Sequence, residues 1–128
     1  MHLARIALLV EDYDEAIEWL TRCLDFHLVE DTPIEGKRWV VMTPSGGGCT
    51  FVLAKAANTR QRIGVGNQFA GRVGFFLYVD DFNAAERRLR ENSVTITREP
   101  EDQPWGRVLV FKDMWGNQWD LIRPVSAT

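Results

Sequence analysis

Two stretches decide how this chain folds: residues 5–20, RIALLVEDYDEAIEWL, and residues 74–89, GFFLYVDDFNAAERRL. They align at an offset of 69, Arg5 over Gly74, and place Val10-Glu11-Asp12-Tyr13 over Val79-Asp80-Asp81-Phe82. Each copy runs from a short apolar segment through an acidic pair and an aromatic residue into a helical pattern. A second match follows. Residues 48–53, GCTFVL, lie over residues 116–121, GNQWDL, at an offset of 68. Two half-chains with the same order of signals describe an internal duplication.

Within each half the apolar period changes in the same order. Residues 3–10 are apolar almost throughout, which suits a buried strand. Asp12 then reads as an N-cap, with Glu15 completing a capping box. Ala16, Ile17, Leu20, Cys23 and Leu24 recur at helical spacing and form one apolar face, with Trp19 on the polar side or at the edge. Asp25 tolerates a left-handed turn and ends the helix. Strand-like runs follow over 26–31, 38–43 and 49–55, with 33–37 and 44–48 as turns. In the second half a strand over 73–79 leads to a helix capped by Asp81, carrying Phe82, Ala85 and Leu89 and stopping at Asn92. Strands near 94–99, 107–112 and 118–123 complete it. The expected fold is α+β, one domain over 1–128 built from two tandem βαβββ modules, 1–57 and 72–124. The polar, Gly-rich stretch 58–71 is their connection. Neither half is long enough to bury both faces of its sheet, so a shared core is expected.

The totals bound the function. Of 128 residues, 45% are hydrophobic and 26% charged, which describes a globular chain and not a disordered one. The net charge of −3 disfavours a nucleic-acid partner. No apolar run approaches the roughly 18 residues of a membrane span. The first residues, MHLARIALLVEDYD, turn acidic and lack the small-residue cleavage site of a signal peptide. Cys23 and Cys49 read as reduced thiols. A cytoplasmic protein that binds neither membrane nor nucleic acid is expected.

The βαβββ repeat, with VEDYDEAIEWLTRCLDF after the first strand and FKDMWGNQWDLI near the end, resembles the vicinal-oxygen-chelate superfamily of glyoxalases, bleomycin resistance proteins and dioxygenases. The resemblance covers nearly the whole chain. It implies that each module curls into an incomplete barrel and that the two form a U-shaped cleft, within one chain or across a homodimer. Apolar strand edges also invite pairing with a second copy. The fold hosts lyases, dioxygenases, epimerases, thiol transferases and drug binders, so it does not choose a chemistry.

In metal-using members a divalent ion is held by His and Glu from the first and last strands of each module. Carried over by the two offsets, those positions are Arg5, Val52, Gly74 and Asp120. Only Asp120 can ligate a metal. A slip of one residue offers Ala4 or Ile6, Phe51 or Leu53, Val73 or Phe75, and Trp119 or Leu121, none of them a ligand. His2 and His27 read as surface or core residues. No metal and no cofactor are therefore expected. Arg5 and Asp120 then either pair with each other or meet a ligand.

Strand alternation extends the list. Arg5 brings Ala7 and Leu9 to its face, and Val52 brings Thr50 and Ala54. Phe76 and Tyr78 share the face of Gly74, while Gln118 and Ile122 share that of Asp120. Trp39 and Val41 share a face of the third strand, and Trp105 is placed to close the rim. The candidate ligand-binding residues are Arg5, Trp39, Phe76, Tyr78, Trp105, Gln118 and Asp120. They make an aromatic site with few polar anchors, suited to a planar or amphipathic small molecule. Gly64-Val65-Gly66 lacks the third glycine and the helix of a dinucleotide fingerprint. Arg60, Arg62 and Arg72 read as solvated surface, with a rim role left open. Catalytic residues are not assigned.

Three functions remain. The first is metal-free binding of a partly aromatic organic molecule, as in drug or metabolite sequestration. The second is an enzyme, a glyoxalase-type lyase or isomerase or a dioxygenase-like protein, with Asp120 as general base or as one ligand of an incomplete site. The third is a stress or partner-binding protein with a vestigial cleft.

Overall fold

The computed structural model describes residues 1–125. Along the chain run β1 (Arg5–Val10), α1 (Tyr13–Leu24), β2 (His27–Ile34), β3 (Lys37–Thr43), β4 (Thr50–Lys55), α2 (Thr59–Gly64), β5 (Val73–Tyr78), α3 (Phe82–Glu91), β6 (Ile96–Gln103), β7 (Gly106–Lys112) and β8 (Gln118–Pro124). They form two compact units, Met1–Val65 and the chain from Gly66 onward. Each unit holds one open four-stranded sheet, ordered β1-β4-β3-β2 in the first and β5-β8-β7-β6 in the second. The first and last strands of each unit pair in parallel, and the other pairs are antiparallel. The α+β, two-module organisation read from the repeat is the observed one.

The helices begin and end where short polar side chains predict. The Asp12 carboxylate accepts from the Glu15 N–H at 2.9 Å, and the Asp81 carboxylate from the Ala84 N–H at 3.0 Å. Asp25 closes α1 in the left-handed region at φ 57°. Asn92 caps α3, and Ser93 takes the left-handed turn after it at φ 56°.

Each sheet buries one face under its long helix. In the first unit Leu8, Val10, Val40, Met42, Phe51 and Leu53 pack with Ala16, Trp19, Leu20 and Cys23 of α1. In the second, Phe75, Leu109, Phe111, Trp119 and Leu121 pack with Phe82 and Leu89 of α3. Trp119 is the centre of that core, with ring centroids 4.6 Å from Phe75 and 5.6 Å from Phe111. A repeated clamp ties each helix start to its hairpin. The Arg38 guanidinium lies over the Tyr13 ring and pairs with Asp31, and Arg107 lies over Phe82 and pairs with Asp102.

Several details differ from the sequence reading. Trp19 is 7% exposed and belongs to the core, because its three-residue spacing from Ala16 puts it on the buried stripe. β2 extends to Ile34 because the turn is only Glu35-Gly36, both in the left-handed region (φ 41° and 78°), as a tight hairpin demands. Pro33 is tolerated inside β2 because that strand is an edge. The connection contains helix α2, started by Asn58, whose side chain accepts from the Gln61 N–H at 2.9 Å. No helix among the described residues is long and apolar enough to cross a membrane.

Candidate functional site

The residues singled out in the sequence, Trp105 excepted, fall on the second face of each sheet, the one turned from α1 or α3. Alternation and register settle this. In the first unit Ala7 pairs with Val52, and Val52 with Val41, which pairs with Glu30. Arg5, opposite Thr50, and Trp39 lie on this same face. In the second unit the equivalent row runs from Phe76 to Asp120, to Val110, to Arg98. Gln118 and Lys112 form a neighbouring pair on that face, and Tyr78 pairs with Ile122.

In the first unit the structure brings Arg5 and Trp39 to one carboxylate. The Trp39 indole N–H donates to Glu30 Oε2 at 2.7 Å, and the Arg5 guanidinium lies 3.8 Å from the same oxygen. α2 reaches this face at its other end, where Gly64 meets the Leu9 side chain.

In the second unit Phe76 and Tyr78 leave 61% and 66% of their surface exposed beside a half-buried Asp120. Partial burial raises the Asp120 carboxyl above its ordinary range, and the Arg98 charge opposes that shift. Trp105 stands apart from this cluster. It occupies the β6–β7 turn, with its carbonyl accepting from the Val125 N–H beyond the far end of β8 from Gln118.

Glu30 and Arg98 were missed in the sequence. They occupy equivalent rows of the two sheets and were visible only by extending the 68-residue offset into strands with weak apolar patterns. The row is thus acidic at its β2 end in one unit and basic at its β6 end in the other.

The family's metal positions do not fit a metal here. The register places Val73, not Gly74, opposite Gln118, as Arg5 lies opposite Thr50, and an irregularity between Val73 and Phe75 absorbs Gly74. An ideal Cβ on Gly74 would lie 2.0 Å from Cδ2 of Phe69, so a ring from the connection fills that place. Asp120 is the one carboxylate of the set. Among the described residues no three His, Cys, Asp or Glu side chains converge on a common point.

The loop before β8 holds the end of the connection in place. Asp113, 5% exposed, accepts from the backbone N–H groups of Trp115, Gly116 and Asn117, from the Asn117 amide and from the Trp119 indole, all within 3.1 Å. Burial pushes its carboxyl pKa up, and these donors pull it back. Asn117 in turn accepts from the Gln68 N–H. Gly66 lies so close that an added Cβ would fall 1.7 Å from the Trp115 carbonyl oxygen.

Comparison with known proteins fits this architecture. The family model of the Glyoxalase/Bleomycin resistance protein/Dioxygenase superfamily matches residues 2–121. A protein of Shewanella frigidimarina (strain NCIMB 400) is 43% identical over 124 residues, covering 94% of this chain and 92% of its own. Among solved structures, UcmS2 superposes with a TM-score of 0.81 at 28% identity, covering 95% of this chain and 97% of its own. TnmS3, described as an antibiotic binding protein from Streptomyces sp. CB03234, superposes with a TM-score of 0.77 at 29% identity, covering 97% and 96%. With the family model spanning both units and their repeated βαβββ order, this chain belongs to the glyoxalase/bleomycin resistance protein/dioxygenase superfamily.

Proposed function

We propose that this chain binds a small, partly aromatic organic molecule on the second faces of its sheets, using rings and charges and no metal. The row Phe76–Asp120–Val110–Arg98 carries this reading. It sets an exposed ring directly beside a half-buried carboxylate and ends on an exposed guanidinium. Exposed aromatic surface is costly to leave in water, and stacking a planar ligand on it recovers about 25 cal/mol per Å2 of apolar area. Asp120 and Arg98 then orient the ligand's polar groups. Trp39, held by Glu30 beside Arg5, offers the first unit an analogous ring and cation. That TnmS3 is an antibiotic binding protein supports sequestration of an antibiotic-like molecule as the role. Pairing of two chains and a cytoplasmic location, where Cys23 and Cys49 stay thiols, belong to the same reading.

The test is a titration of purified protein with a panel of polycyclic aromatic antibiotics, followed by tryptophan fluorescence and native mass spectrometry. At least one member is expected to bind at micromolar concentration, to a dimer, with Phe76→Ala and Asp120→Asn each weakening it about tenfold, the size of one stacking or charged contact. No binding by any member counts against the reading. A stoichiometric transition metal lost on Asp120→Ala would replace it with the enzyme reading.

A further inference from the structure

The second unit contains a pocket that the proposed ring-and-carboxylate row does not use. It measures about 200 Å3 and is lined by Gly66, Asn67, Phe69, Gly71, Arg72, Lys112, Gly116, Asn117 and Gln118. Sites for drug-sized ligands usually run from about 300 to 1,000 Å3, so this one holds a functional group and not a whole polycyclic molecule.

Its polar inventory is one-sided. Arg72 and Lys112 line it, and no carboxylate does, in a chain whose net charge is −3. Neither cation has an ion pair or a side-chain hydrogen bond among the described residues. Two of the acceptors nearby are already taken. The Gly71 carbonyl accepts from the Gln118 amide at 2.8 Å, and the buried Asn117 amide is committed to Asp113 and to the Gln68 N–H. What remains are two cationic donors without an acceptor. Asp120 lies two residues further along β8, and Arg98 is the cation that faces it.

The floor is preformed. Gly66 and Gly116 approach each other backbone to backbone, at φ 74° and 116°, in a loop anchored by Asp113. Sequence proximity groups Arg72 with Arg60 and Arg62, but those two lie on α2 in the first unit. Arg72 alone reaches this pocket.

We propose that the Arg72–Lys112 pocket binds a carboxylate or phosphate group. The group is either a free anion or the acidic substituent of the molecule held on the second face. The latter source rests on the proposed function, since Lys112 and Gln118 share a face with Asp120. Charge-assisted hydrogen bonds from these two cations are the chemistry that recognises it.

Two arms test this. In the first, thermal unfolding of the wild type is followed against inorganic phosphate, with ionic strength held constant by sodium chloride. A saturable rise in Tm is expected, retained by Arg60→Gln/Arg62→Gln and abolished by Arg72→Gln/Lys112→Gln. In the second, anthracene carboxylate is compared with its carboxamide. Acid binding at least tenfold tighter, with the preference lost in Arg72→Gln/Lys112→Gln, assigns the pocket to the ligand's acidic end. Carboxamide binding by itself reports the proposed function, so the two readings fail separately. A positive first arm alone assigns the site to a free anion. No response in either arm, or an equal phosphate response in the double variant, overturns the proposal.

Discussion

The ring of Phe69 lies where a side chain on Gly74 would begin, 2.0 Å from an ideal Cβ at that position. One contact between the connection and β5 thereby leaves no room for a side chain at Gly74, the residue that the 69-residue offset aligns with Arg5.

Placing an imidazole there tests how firmly the ring holds the space. Gly74→His is expected to lose about 1–3 kcal/mol in urea denaturation, the usual cost of overpacking a tight site. Phe69→Ala/Gly74→His should recover part of that loss, because the ring is the obstacle. A single variant as stable as the wild type would mean that Phe69 moves aside freely and does not hold the space.

Gly66 separates backbone strain from collision. Gly36 and Gly66 have similar positive φ, 78° and 74°, but a Cβ on Gly36 meets nothing within 4 Å, whereas one on Gly66 meets the Trp115 carbonyl. Gly36→Ala is expected to cost about 1 kcal/mol, the strain alone. Gly66→Ala should cost at least about 1 kcal/mol more, because backbone cannot swing away as a side chain can. Equal losses for the two would show that the connection yields.

Asp113 is the anchor of the loop before β8. Asp113→Ala removes the acceptor to which the buried Asn117 amide and Trp119 indole donate, at about 1–3 kcal/mol for each such bond. A total loss of about 3–5 kcal/mol in chemical denaturation is expected, with Asp113→Asn losing less. A loss below about 1 kcal/mol would mean that water replaces the carboxylate.

Asp120 titrates in a direction that can be checked. Its carboxyl lies above the ordinary 3.8, raised by burial and held back by Arg98. Carbon-detected NMR of the carboxyl should show this, and Arg98→Gln should raise the value further. The linkage sign follows from the raised folded value. Protonated Asp120 is the form the fold favours, so its stabilising contribution is complete below 3.8 and is lost as pH rises through the folded pKa. Asp120→Asn should therefore gain stability relative to wild type across that window. Titration of Asp120 at or below 3.8 would sink both statements.

Much of this was legible in the residues themselves. The duplication, the caps at Asp12 and Asp81, the turn at Asp25 and the face assignments of Arg5, Phe76 and Asp120 all come from periods of two or 3.6 residues and from single side chains bonding to nearby backbone. Such signals are local, and the second copy of each corroborates the first. Trp19 and the connection were misread for want of tertiary context. A tryptophan three residues from Ala16 is ambiguous until the sheet beneath it is known, and a six-residue helix carries too little periodicity to stand out.

The sequence by itself determined two repeated modules and the faces of Arg5, Phe76 and Asp120 on their strands. Only the tertiary structure decided who meets whom. Glu30 meets Arg5 and Trp39, Phe69 fills the space at Gly74, and Arg72 joins Lys112 in one pocket. These pairs are brought together by strand register and loop closure, which depend on hairpin turns and long-range packing that no short window of sequence contains.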